Sequence, residues 1–387
     1  VTISYTGDPD SPMETLTTDE SGQTPEINLK APPRELSLTP DITEQPYSEY
    51  NIQVTAEGFE TVLVSGSEIL AGAYSLQPIR MNPLDVTEEE EKVVVIPPHT
   101  LFGEYPPKIP EEEIKPMNET GEIVLSRVVI PEYVIVHDGD PEDPTARNYW
   151  VRYKDYIKNV ASSEIYPTWS ESAIYANILV IQSFTLNRVF TEWYRGKGYD
   201  FTITSSTAYD QKWIYGRNVF EEIDYLVDSI FTNYLSRPGV RQPIFTSYCD
   251  GNRTTCRGLS QWGSQSLAEQ GYSAIDIIHY YYGNDMYINS ADIISGVPSS
   301  WPGYDLTIGS SGEKVRQLQQ QLNRIARNYP AIPTLIPDGI YGPDTADAVR
   351  MFQKIFHLPQ TGIVDYPTWF EISDIYVGVT RISEPDV

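Results

Sequence analysis

Cys249 and Cys256 are the two thiols of this 387-residue chain, and their spacing admits two chemistries. The loop Tyr248-Cys249-Asp250-Gly251-Asn252-Arg253-Thr254-Thr255-Cys256 is short enough for a hairpin closed by a disulfide between its ends. A structural zinc site needs about four ligands. Besides these two sulfurs the chain offers only His99, His137, His279 and His357. His279 sits in an Ile- and Tyr-rich run and is expected to pack rather than bind a metal. The disulfide is therefore preferred, and neither metal nor cofactor is expected. Glu164 is the remaining group of interest. Its neighbours Ile165, Tyr166 and Trp169 can supply surroundings apolar enough to hold a proton near neutral pH. A lone Glu at a helix end ordinarily caps the helix or meets solvent, so by itself it assigns no activity.

Four segments must position these groups, because 387 residues exceed one ordinary core. Residues 1–83 alternate polar and apolar positions in short runs, such as Val1-Thr2-Ile3-Ser4-Tyr5 and Tyr50-Asn51-Ile52-Gln53-Val54, between Gly-, Pro- and Asp-rich turns. They predict an all-β antiparallel sandwich. Residues 84–122 carry Glu88-Glu89-Glu90-Glu91 and the prolines 97, 98, 106, 107, 110 and 116, a composition that predicts a stiff acidic spacer, free or wrapped along the next domain. Residues 123–300 mix strand-like runs with helical spacing through Ala173, Ala176, Leu179, Val180 and Ser183, which predicts an α+β domain. Residues 301–387 are largely helical.

Composition narrows the partners. The 27 Lys and Arg against 54 Asp and Glu leave a formal charge of −27, which repels phosphate backbones and anionic headgroups. Nucleic acid and membrane surfaces are thus disfavoured. No run of about 18 apolar residues occurs, so no transmembrane helix is expected. Starting at Val1 without an apolar leader, the chain is expected to be a processed or truncated form whose export signal is gone. The 28 Tyr supply amphipathic contact surface suited to sugars or to a Tyr-rich β fold.

Near the C-terminus, Leu306-Thr307-Ile308-Gly309-Ser310-Ser311-Gly312 precedes a helix with Val315, Leu318, Leu322 and Ile325 on one face. Asp338-Gly339-Ile340-Tyr341-Gly342-Pro343-Asp344-Thr345 then turns into a second helix with Ala348, Val349, Phe352 and Gln353, and Thr361-Gly362 leads to Trp369. This order resembles the peptidoglycan-binding domain of the PG-binding-1 type across residues 304–375. The resemblance implies a three-helix module that holds wall glycopeptide in a shallow groove without chemistry of its own. Tyr341, Asp344 and Gln353 are its candidate ligand contacts, and Leu318, Val349 and Phe352 its packing residues.

The central run Tyr153 to Pro167, followed by Trp169, Ala173, Ala176, Ser183 and Phe184, by Thr207 to Tyr215, and by Gly258-Leu259-Ser260-Gln261-Trp262-Gly263-Ser264, resembles the sporulation protein D (SpoIID/LytB) family over residues 120–290. Domain order is similar to the clostridial type that ends in the same wall-binding module. The resemblance implies a lytic transglycosylase in which Glu164 is the catalytic acid, with Tyr166, Trp169 and Gln261 on the substrate. Asn177 and Gln182 stand where that family presents Gln and Arg. Its Gly-His-Gly-Val-Gly run is replaced by Thr255, Cys256, Arg257 and Gly258, which removes a metal ligand of the expected type.

The stretch Tyr50 to Phe59 resembles carboxypeptidase-regulatory sandwich domains, in which an earlier strand normally precedes the run matching Val1 to Tyr5. An unpaired edge there would accept a donor strand from a second copy or a cleaved upstream segment. The resulting expectation is a peptidoglycan-associated protein outside the cell, at the wall or spore surface of a sporulating Gram-positive bacterium. Three roles are compatible with it: glycan-strand cleaver, self-assembling structural protein, or amidase-enhancer-like wall adaptor.

Overall fold

The structure is a computed structural model that describes residues 1–19, 22–84, 91–115, 128–293, 304–356 and 358–380. Glu88, Glu89, Glu90, Pro116 and His357 lie outside the described residues. The chain forms two compact units, one from residues 1–115, 154–187 and 204–290 and the other from 116–153, 188–203 and 291–387.

In the first unit the N-terminal region is strand-rich. Its strands are β1 (Thr2–Tyr5), β2 (Asp8–Thr15), β3 (Ser48–Val54), β4 (Thr61–Ile69), β5 (Ser75–Leu76) and β6 (Glu91–Val95). Five of them form one sheet in the order β2-β1-β3-β4-β6, antiparallel except where β6 lies parallel to β4. Val62 and Val64 of β4 alternate inward beside Val94 and Ile96, and Ile79, Met81 and Ile214 close over them. Where sequence alone predicts a sandwich, one apolar face is covered partly by Ile214 from the central region. Residues 91–95, expected within a spacer, add a strand because Val94 gains burial there. The run Val1 to Tyr5 is not an edge, since β2 pairs along its outer side.

All but the first residue of α1 (Tyr153–Glu164) and the last turn of α2 (Glu171–Phe190) belong to this unit, with α3 (Glu221–Ile230), α4 (Gln261–Glu269) and α5 (Ala274–Tyr282). On α1, Tyr153, Tyr156, Ile157, Val160 and Ala161 make a buried stripe at helical spacing, and Glu164 falls on the same stripe one turn after Val160. The residues of α2 from Ile178 to Asn187 are buried all round the helix. Its amide nitrogens are bonded internally: Asn177 Nδ2 donates to Ala173 O and Ser264 Oγ, and Gln182 Nε2 donates to Ile230 O.

The second unit contains β7 (Val129–Ile130), β8 (Tyr133–His137) and β9 (Asn148–Arg152), with β8 and β9 antiparallel and β7 parallel to residues 292–293. Ile135, Tyr194 and Phe201 form its small aromatic core with Trp150, Trp193 and Tyr199. It also contains the C-terminal helices α6 (Glu313–Ala326), α7 (Pro343–Ile355) and α8 (Tyr366–Thr380). Val315, Leu318, Leu322 and Ile325 are buried against Val349, Phe352, Trp369 and Ile372, as the spacing predicts. Gly342 precedes α7 without a side-chain cap, and Pro343 at the first helical position needs no hydrogen-bond partner for its nitrogen. No helix among the described residues is long and apolar enough to cross a membrane.

Candidate functional site

Glu164 is 0 % exposed. One carboxyl oxygen accepts the Lys212 amide at 2.7 Å and the other accepts Gln261 Nε2 at 3.3 Å. Burial raises its pKa above the ordinary carboxylate value, opposed by the Lys108 ammonium and these two bonds. Tyr105 and Tyr248 flank the same carboxyl, and burial next to it pushes both phenols well above their usual range. Lys108 Nζ lies 4.4 Å from the centroid of the Tyr248 ring and donates to Asp210 O at 2.5 Å. The acid is held in a closed polar and aromatic shell.

The structure brings Glu164 and Gln261 together but turns Tyr166 and Trp169 elsewhere. Tyr166 stacks on His99 at 4.5 Å, and Trp169 packs on Trp262 at 5.0 Å while its Nε1 donates to Ser37 O at 2.9 Å. Glu164, Tyr166, Trp169 and Gln261 are all buried. The aromatic pair supports the core and offers no ring face to a sugar in this conformation. Tyr105 and Lys108, which sequence reasoning missed, come from the segment expected to be a spacer. Nothing local marks them, because their partners are distant in sequence.

Cys249 and Cys256 are joined by a disulfide. Between them the buried Asp250 carboxylate accepts the Thr254 amide at 2.9 Å and both the Arg253 amide and Nε at 3.0 Å. Arg253 also donates to Thr100 O and Gly103 O. The loop thereby fastens the turn that leads to Tyr105. No group of three or more His, Cys, Asp or Glu placed to hold a metal occurs among the described residues.

A second buried cluster went unread in the sequence. Arg217 and Glu68 form an ion pair with both side chains nearly inaccessible, and Asn218 bonds both the amide and the carbonyl of Glu68 at 3.2 and 2.9 Å. Burial raises the Glu68 pKa to about 7, outweighing the attraction of Arg217. Burial and the same Arg217 hold the nearby His99 well below its ordinary value, so its imidazole is neutral.

The C-terminal module is built on a repeated device. Val315-Arg316-Gln317-Leu318-Gln319 on α6 is echoed by Val349-Arg350-Met351-Phe352-Gln353 on α7. Gln319 Nε2 donates to Asp338 Oδ1, Ile340 O and Thr345 Oγ1, and its Oε1 accepts the Gly339 amide at 2.9 Å. Gln353 repeats this with Thr361 Oγ1, Ile363 O, Thr368 Oγ1 and the Gly362 amide, again at 2.9 Å. Both glycines have positive φ, 78° and 68°. A side chain at Gly362 would also meet Arg350.

Of the module's three candidate contacts only Asp344 is exposed. Tyr341 is buried with its hydroxyl donating to Gly362 O at 2.9 Å, and Gln353 is the internal brace just described. What the loops do present is Ile308, Ile340 and Ile363, all exposed, beside the exposed Arg316 and Arg350. Backbone bridges Leu306 to Val364 and Ser311 to Ile340 gather these loops at one end of the module. Such a surface offers apolar steps and guanidinium donors. The echoed Val-Arg-x-apolar-Gln pattern is the sequence signal that would have found it.

No curated protein matches the chain. With the solved crystal structure of the SleB N-terminal domain it shares 30% identity over 20% of its own length and 97% of that chain, at a TM-score of 0.18. The family described as "Putative peptidoglycan binding domain" matches residues 311–370. These residues contain both glutamine-braced loops, and they are a domain of that peptidoglycan-binding family.

Proposed function

We propose that this protein is an extracellular wall or spore-surface protein that holds peptidoglycan through residues 311–370. The family match of that segment carries the reading. The rigid, braced loop end with its isoleucines and arginines supports it, because a preformed surface binds at a lower ordering cost. Purified sacculi are expected to pellet the intact chain at ordinary ionic strength. A chain that stays in the supernatant sinks the reading.

A second reading gives the central region a lytic transglycosylase activity through Glu164. Its supports are the resemblance to the SpoIID/LytB family, the raised pKa of a buried acid and the amide of Gln261 against the carboxyl. Glu164 would protonate the glycosidic oxygen and then take a proton from the sugar's own hydroxyl as the anhydro ring closes, one group serving as acid and then as base. Its complete burial ranks this reading second, because a glycan oxygen has no access to the carboxyl in this conformation. A retained scaffold or an amidase-enhancer-like adaptor fits that burial better. Mass analysis of digested peptidoglycan separates the readings: anhydro-sugar products from the wild type and none from Glu164→Gln support cleavage, and absence of products from both excludes it.

Self-association enters the proposal at β6 rather than at β1. The opposite edge, β2, contains Pro9 and Pro12, which cannot donate to a ladder, whereas β6 exposes Val93 and Val95.

A further inference from the structure

The turn between α4 and α5 and the loop after α5 frame an open cleft of about 460 Å³, lined by Gln270, Tyr272, Asp276, His279, Tyr280 and Asn284. The volume falls in the roughly 300–1,000 Å³ range of small-molecule sites, and the cleft opens widely to solvent. Tyr272 is 40 % and Tyr280 64 % exposed. Exposed tyrosines occur elsewhere on this chain, Tyr74 and Tyr225 among them, but those do not line this cleft. Here two amphipathic rings share a concavity with two planar amides and a carboxylate. That combination gives ring faces for the C–H surfaces of a sugar and paired donors and acceptors for its hydroxyls.

The frame is rigid. Gly271 takes φ 89° to turn the chain, and the amides of Gln270 and Tyr272 both donate to Leu267 O at 3.1 Å. Ser273 and Asp276 form a reciprocal capping box at the start of α5. His279 Nε2 donates to Met286 O at 2.8 Å, which ties the far side down. A ligand therefore meets a preformed cleft and pays little to order it.

Charge selects among sugars. The cleft lining contains no Lys or Arg, and its one carboxylate, Asp276, is held below the usual range by its bonds from Ser273. On a chain of formal charge −27 this disfavours phosphate-bearing polymers. We propose that the cleft is a second saccharide site, for a neutral strand carrying hydroxyl and acetamido groups. The choice of sugar over other hydroxylic ligands rests on the wall-binding reading above.

Calorimetric titration of the full chain with the N-acetylglucosamine tetramer tests the site, alongside retention on sacculi. The Tyr272→Ala, Tyr280→Ala double variant is expected to bind the tetramer at least tenfold more weakly, with its melting temperature and sacculus retention kept. Tyr280→Phe, which keeps the ring, is expected to stay within threefold of wild type. Failure of the wild type to bind, equal binding by the double variant, or displacement of the tetramer by poly(glycerol phosphate) overturns the proposal. Loss of sacculus retention by the wild type, with tetramer binding intact, would instead overturn the wall-binding reading alone.

Discussion

Arg217→Met is expected to lower the unfolding free energy by about 3 kcal/mol near pH 8 and by roughly 1.4 kcal/mol less near pH 5. The guanidinium is the counter-charge of a fully buried carboxylate on β4, and removing it forces Glu68 to take up a proton or to stay charged in a medium that cannot solvate it. The pH dependence follows from the raised pKa of Glu68, about 7 against an ordinary 4.5. A raised pKa means that the group's contribution is fully present below pH 4.5 and is lost as pH climbs through 7. At pH 5 the carboxyl is largely protonated in the folded chain, so its partner matters less. Joint replacement, Glu68→Leu with Arg217→Met, is expected to recover most of the loss, because neither charge is then stranded. Urea titrations at the two pH values measure all of this; an equal deficit at both, or no recovery in the double variant, defeats the account.

The second large effect belongs to Gln353. Gln353→Leu keeps the volume but strands the Gly362 amide and removes a donor from the Ile363 carbonyl and the Thr368 hydroxyl, while Thr361 keeps its bonds with Ile363. Each stranded group costs on the order of 1–3 kcal/mol before relaxation, so a loss of about 3 kcal/mol is expected after water reaches the loop. Because Gln319 makes the matching set of bonds at the other loop, Gln319→Leu is expected to cost a similar amount. Differential scanning calorimetry following the transition of the C-terminal module tests both. Gln353 acting instead as a surface ligand contact would give unchanged stability with weakened sacculus binding.

How much was legible in the chain depended on the range of the interaction. Val315, Leu318, Leu322 and Ile325 repeat at helical spacing, and all four are fully buried, because a stripe of apolar side chains has one place to go. Gln353 and Tyr341 misled for the same local reason. A polar side chain near a helix or turn is assigned to the water face, whereas both point inward to satisfy loop backbone that no periodicity announces. Glu164 was visible as an acid with apolar neighbours, and in the structure it lies on the buried stripe of Tyr153, Ile157 and Val160 rather than at a solvent-facing helix end. Its partners Lys212, Gln261 and Tyr105 arrive from three separate stretches, and no single-sequence pattern pairs them. The Glu68 and Arg217 pair was illegible for that reason too.

The echoed brace in the C-terminal module has a corollary. Ile340 and Ile363 each sit in a separately braced loop, while the helices beneath supply the shared interior. The outward side chains of these loops can therefore be exchanged without disturbing the interior that holds the module together.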